Sequence, residues 1–266
     1  MRILIMTNSS PQAEALIHAC LQEGLDVQGV LIENKLMHQS AWLRIKKNIK
    51  KNISAVLLPW RVNKNTLKAL RFEQQCEKEA TALLTEFIGG LPKSSKREKV
   101  RSKTVASVND AHSVAFIESV KPNLVIVYGT GIIKPTVLGL ANTFVNAHSS
   151  ILPFYRGSKS EFWQCYDHDF SQVGISIHAV DAGVDTGAVY AQFHQTIPVR
   201  PNPHLLRCNN LKLMLTHYPR VVSKIVRGEI EAKPLTEVST QKAFRMKDLT
   251  EAKKVALYLT LAEAKD

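Results

Sequence analysis

Cysteine is scarce and scattered in this chain of 266 residues: Cys20, Cys76, Cys165 and Cys208 lie far apart, and no CxxC pair occurs. That argues against a structural zinc site or a disulfide framework and for a reducing compartment. Long apolar runs are missing too, none approaching the ~20 residues of a membrane-spanning helix. Met1-Arg2 leads straight into a strand-like stretch and not into a signal peptide. A soluble, cytoplasmic protein is expected. No GxGxxG follows the first apolar run, so a nicotinamide or flavin dinucleotide reading has little support.

Acidic residues are absent where basic ones crowd. Between Trp42 and Lys103 stand 16 Lys and Arg against 5 Asp and Glu, and the stretch from Trp42 to Arg71 has no acid at all. Almost all of the formal net charge of +12 therefore belongs to one segment. Three readings stay open for it. It is a solvated helix face, or a helix on an anionic membrane surface through 42–71, with Trp42, Ile45, Ile49 and Ile53 dipping into lipid. Or it is a phosphate contact for a nucleotide-linked or nucleic-acid substrate, nucleic acid being the less favoured partner.

What is present reads as alternating strands and helices. Arg2-Ile-Leu-Ile-Met-Thr7 predicts a buried parallel strand, Ser10-Pro11 a helix start, and Val27 to Ile32 a second strand. After the basic region, where Leu67 to Phe87 predicts a helix and Lys93 to Lys99 an exposed linker, the α/β texture resumes. Strands are expected at Thr104–Val108, Leu124–Tyr128 and Thr143–Ala147, with Asn109 or Asp110 capping a helix between the first two. Gly174–Val180 and Ala188–Phe193 alternate with period two and predict an antiparallel hairpin. A helix from about His204 to Arg227 follows, then a polar tail with one short strand and a terminal helix. The expected fold class is α/β: a doubly wound, mostly parallel sheet with an antiparallel hairpin and a basic helical insertion at about 35–103.

Chemistry concentrates in Val145-Asn-Ala-His-Ser-Ser-Ile-Leu-Pro-Phe-Tyr-Arg-Gly157 and in the loop Asp181 to Gly187. Asn146 and His148 are two apart at a strand end, so both side chains emerge on one face, where open sheets bind ligands. An Asn, a His and an Asp185 meeting there suit acyl transfer to an amine. The amide and imidazole donate to an oxyanion, and the carboxylate orients the imidazole and moves a proton. Metal ligation by His178, Asp181 and Asp185 is the disfavoured alternative. Asn8-Ser9-Ser10 reads equally as a phosphate cradle and as an ordinary helix cap, and Phe162-Trp163 as a stacking platform or a core pair.

Asn146-x-His148, Ser150-Ile-Leu-Pro153, Tyr155-Arg156-Gly157 and His178-x-Val-Asp181, leading into Asp185-Thr186-Gly187, resemble the folate-dependent formyltransferases. That family includes glycinamide ribonucleotide, methionyl-tRNA and amino-sugar N-formyltransferases. The resemblance is weak over Arg2 to Leu31 and strong over Val105 to Val199. It implies a Rossmann-like catalytic domain over 1–200, with 201–266 as a C-terminal helix and tail. It also implies Asn146, His148 and Asp185 as catalytic residues, and 10-formyltetrahydrofolate as formyl donor without a metal. Tyr128, Gly129, Ile132, Ile133, Val180, Asp181 and Gly183 would line the pteridine pocket. Asn8, Ser9, Ser10, Arg156 and Gly157 would contact the substrate. The acceptor expected is a phosphate-bearing small amine, first of all an amino sugar on a nucleotide destined for a surface polysaccharide. Glycinamide ribonucleotide, methionyl-tRNA and a hydroxyornithine-type precursor are the alternatives. A non-catalytic relative that binds folate, RNA or membrane is the reading of another class, and a homodimer stays open.

Overall fold

The structure is a computed structural model, which describes residues 1–37, 63–236 and 241–264. A seven-stranded sheet runs through it, built from β1 (Ile3–Asn8), β2 (Val27–Glu33), β3 (Arg101–Val105), β4 (Leu124–Tyr128), β5 (Thr143–His148), β7 (Gly174–Ala179) and β8 (Val189–His194). The spatial order is β3-β2-β1-β4-β5-β7-β8. The pairs from β3 to β5 are parallel, while β7 runs antiparallel to both β5 and β8. This is the doubly wound sheet and hairpin expected from the sequence.

Helices cover both faces. They are α1 (Pro11–Gln22), α2 (Lys64–Gly89), α3 (Ala111–Val120), a single turn α4 (Pro135–Leu138), α5 (Ser160–Tyr166), α6 (Pro203–Val226) and α7 (Glu251–Glu263). Alternation along β1 decides what each face buries. Ile3 and Ile5 pack with Leu16 and Ile17 of α1 and Met214 and Leu215 of α6. Leu4 and Met6 pack on the opposite face with Ile117 of α3 and with Val125 and Val127. A central strand buried on both sides needs an unbroken apolar run, and Ile-Leu-Ile-Met supplies one.

Ser10 caps α1 by accepting from the Ala13 N–H, and Pro11 fills the first helical position. Asp110, not Asn109, caps α3. Within α6, the fully buried Tyr218 places its hydroxyl between the Val127 N–H, at 3.3 Å, and the Val145 carbonyl. That bond ties the helix to the two strands whose carboxyl ends carry the site.

Three expectations change. The third strand is Arg101–Val105 and not Thr104–Val108, because it pairs with β2 at the sheet edge, where four of its five residues are exposed and charge is tolerated. Lys93–Lys99 is no free linker. Its 3-10 turn (Ser95–Lys99) is fastened to α1 by the Arg97 guanidinium on Glu14, at 2.7 Å, and by the Ser94 N–H donating to His18 Nδ1 at 2.9 Å. The helix expected over Leu67–Phe87 is longer, Lys64–Gly89. The amphipathic stripe of Trp42, Ile45, Ile49 and Ile53 lies outside the described residues.

The tail returns to the site. A short strand, β6 (Arg156–Gly157), pairs in parallel with β9 (Ala243–Phe244). Phe244 stacks on Trp163 at 4.2 Å with ring planes 7° apart, and α7 lies against α2.

Candidate active site

The carboxyl ends of β4 and β5 open into a cleft of ≈330 Å³. Asn146 and His148 reach it from β5, His178 from β7, and Asp185 from the β7–β8 loop. The antiparallel register sets Asn146 directly opposite His178. Asp185 holds a left-handed backbone (φ 52°), which Asp tolerates better than most side chains. Gly187, two residues on, lies so close to β7 that a Cβ would stand 1.8 Å from the Ala179 carbonyl oxygen. Only glycine lets the loop descend there.

Asp185 is the hub. Its Oδ2 accepts from the Gly157 N–H at 2.8 Å and lies 3.2 Å from His148 Nδ1, while Oδ1 lies 3.5 Å from His178 Nε2. His148 Nε2 faces the Tyr155 carbonyl at 2.9 Å, an atom that can only accept, so this nitrogen carries a proton. Nδ1 then bonds Asp185 only when it too is protonated, and the pair closes as imidazolium and carboxylate. His178 Nδ1 likewise donates to the Ala179 carbonyl at 2.8 Å. Neutral, its Nε2 accepts from the Asn146 amide at 3.2 Å; protonated, it donates to Asp185. Burial alone would raise the Asp185 carboxyl. The charge of His148, the hydrogen bond with His178 and the Gly157 N–H outweigh burial and hold it down to about 2.

The structure therefore brings Asn146, His148 and Asp185 together, and adds His178. The sequence presents that residue in a motif block and as a disfavoured metal ligand, and its place beside Asn146 and Asp185 depends on a register no local pattern reveals. One expected detail changes. The His148 imidazole is 7% exposed with Nε2 engaged by backbone, so any donation into the cleft comes from Nδ1.

Tyr128, Gly129, Ile132, Ile133, Val180, Asp181 and Gly183 all line the cleft, as does Gly157. Arg156 is not among its lining residues. Its backbone pairs in β6, and its Nε is buried without a hydrogen-bond partner among the described residues. Asn8 and Ser10 wall an adjoining cavity, both engaged: Asn8 Nδ2 donates to the Gly129 carbonyl at 3.1 Å and Ser10 caps α1. Ser9 is exposed and lines neither space. Asp181 turns into its own loop, accepting from Thr186 Oγ1 at 2.6 Å and the Gly183 N–H at 3.0 Å, so it does not join His178 and Asp185 as a metal ligand. Phe162 and Trp163 are buried and pack edge to face, a core pair.

Two loops form the lips of the cleft. Ile132 on one is 76% exposed and Val184 on the other 51% exposed, with Ile133 and Val180 deeper in the wall. Exposed apolar side chains on both lips, above the polar groups of Asn146 and Asp185, suit a flat heteroaromatic ring with a polar edge.

Fold and site together place a polar trio, Asn146, His148 and Asp185, in a cleft at the carboxyl edge of a doubly wound α/β sheet. The chain belongs to the formyl transferase family, whose model matches residues 1–208. It is 33% identical over 108 residues to the methionyl-tRNA formyltransferase of Syntrophus aciditrophicus (strain SB), a match covering 39% of this chain and 34% of that protein. It is 28% identical over 138 residues to the GDP-perosamine N-formyltransferase of Brucella melitensis biotype 1, covering 51% of this chain and 53% of the relative. The chain thus spans between about a third and a half of these curated relatives. Its fold is similar to the N-formyltransferase from Helicobacter canadensis in complex with folinic acid and dTDP-3-aminofucose. There the TM-score is 0.61 at 13% identity, with 99% of this chain and 82% of the other covered.

Proposed function

We propose that this chain transfers a formyl group from 10-formyltetrahydrofolate to a primary amine of a small molecule, an amino sugar carried on a nucleotide. The observation that carries the reading is the single carboxylate, Asp185, in contact with His148 and His178 beside Asn146 at the floor of an open cleft. The folate supplies the formyl carbon and a nitrogen leaving group, and the two apolar lips would hold its ring.

The chain's own residues do the rest. As the amine nitrogen bonds the formyl carbon, negative charge grows on the formyl oxygen. The second hydrogen of the Asn146 amide and Nδ1–H of His148 are the donors available to it. Asp185, ionised because its neighbours outweigh burial, accepts the proton the amine loses. His148 gives its Nδ1 proton to the folate nitrogen as that nitrogen's bond to the formyl carbon breaks, and Asp185 then returns the amine's proton to Nδ1. No covalent enzyme intermediate is required, since holding both substrates together supplies much of the rate.

The amino-sugar acceptor is supported by the perosamine relative and by the aminofucose complex named above. The test incubates the purified protein with 10-formyltetrahydrofolate and each of dTDP- and GDP-linked amino sugars, glycinamide ribonucleotide and methionyl-tRNA. Mass spectrometry then reads the products. An N-formylated sugar nucleotide is expected. Product from tRNA or glycinamide ribonucleotide alone would replace the acceptor, and no product from any amine would end the enzymatic reading.

A further inference from the structure

The cleft carries two cationic side chains that the mechanism above leaves unused. Lys159, the residue that begins α5, and Arg207, in the second turn of α6, both line it. Arg207 also walls the adjoining cavity of ≈230 Å³ at the end of β1, so the two spaces meet at its side chain. Both residues are exposed, and among the described residues neither has a direct hydrogen bond or ion pair from its charged group. Lys159 also holds a left-handed backbone (φ 63°), a conformation a non-glycine residue adopts only at a cost.

A third side chain of the cleft is acidic. Glu161 lines the same cleft, is 2% exposed, and receives only a long 3.5 Å hydrogen bond from the Asn210 amide. Burial, and next the charge of Arg207, lower the Lys159 ammonium below the ordinary lysine range, with Glu161 pulling the other way. Lys159 and Arg207 line one open cleft from separate elements, Lys159 just before α5 and Arg207 on α6, so both charges can reach one ligand there. An anion placed between them is attracted by both and relieves their repulsion.

We propose that Lys159 and Arg207, which line one cleft, form an anion subsite that holds a phosphoryl group of the acceptor. That the ligand is the acceptor rests on the formyl-transfer reading; the anion binding does not. A phosphoryl group suits the pair better than a carboxylate does. Its several anionic oxygens can meet a guanidinium fork and an ammonium from separate elements at once.

Calorimetric titration of pyrophosphate and of dTDP into the wild-type protein, Lys159→Ala and Arg207→Ala tests the subsite directly. Both probes are expected to bind the wild type. Kd should rise at least ~10-fold in each variant, with Arg207→Lys intermediate, because each variant removes one charge-assisted contact. With a nucleotide-linked amine as acceptor, KM should rise more than kcat falls, and the KM for 10-formyltetrahydrofolate should move less than that for the acceptor. Circular dichroism establishes that each variant is folded. Kd values for pyrophosphate unchanged in both variants would overturn the proposal, as would citrate binding as tightly as pyrophosphate. If no amine is formylated but the variants still lose pyrophosphate, the formyl-transfer reading falls and the subsite stands. If formylation proceeds and the variants bind like the wild type, the subsite falls alone.

Discussion

One carboxylate, Asp185, joins three groups, His148, His178 and the Gly157 N–H, and its ionisation links stability to chemistry. Its pKa of about 2 lies below the ordinary value near ~4 for an aspartate. The folded state therefore favours the ionised form. That stabilisation is complete above pH ~4 and is lost as pH falls through about 2, on the order of 2 kcal/mol for a shift of this size. Urea unfolding of the wild type and Asp185→Asn should show a stability gap at pH 7 that narrows steadily between pH ~4 and ~2. A gap that stays constant with pH would remove the carboxylate from the account. The same variant should lose at least ~100-fold in kcat, the usual scale for a group that moves a proton in the transition state. The placement of Asn146, His148 and Asp185 in one cleft was legible in the sequence, from the spacing of the first two at a strand tip and the glycine-bracketed loop that carries the third. His178 stood there only in a motif block and as a disfavoured metal ligand, because its place opposite Asn146 appears only once β7 pairs antiparallel with β5.

At the scale of elements, the β7–β8 loop does the positioning, and glycine makes its path available. An alanine at position 187 would bring its Cβ within 1.8 Å of the Ala179 carbonyl, so the loop must lift from β7 and carry Asp185 with it. Gly187→Ala should leave the far-UV circular dichroism unchanged while kcat falls at least ~10-fold, the scale expected when a catalytic group is moved by a fraction of an ångström or more. Full activity in that variant would mean that the loop tolerates displacement. The strands flanking this site were plain from sequence, because β4 is a continuous apolar run and β7 alternates. β3 was misplaced for a physical reason. An edge strand exposes one side, and Arg101-Ser-Lys103 carries the composition of the linker before it. The docking of Ser94–Lys99 on α1 escaped notice because it depends on Glu14 and His18, about 80 residues away.

Taken whole, the molecule supports its candidate site from a segment much further along the chain. Gly157, whose N–H bonds Asp185, lies against the β9 backbone so closely that a Cβ there would stand 2.1 Å from the Phe244 carbonyl oxygen. Phe244 in turn stacks on Trp163 and on Tyr155, whose carbonyl holds His148. A short strand in the tail was expected, but two strands of two residues each have no periodicity that would pair them, so the brace itself was not legible. Phe244→Ala removes a half-buried ring and its stacking partner's cover, and should cost about 2–3 kcal/mol by the scale of large-to-small core changes. If the tail serves only to cover the aromatic cluster, unfolding free energy falls and kcat per folded molecule stays constant. If β9 sets the position of Gly157, kcat falls as well, and the loss remains at temperatures where the variant is fully folded. Activity measured at 10 °C alongside urea unfolding separates the two, and the contact between Phe244 and Gly157 makes the second the expected result.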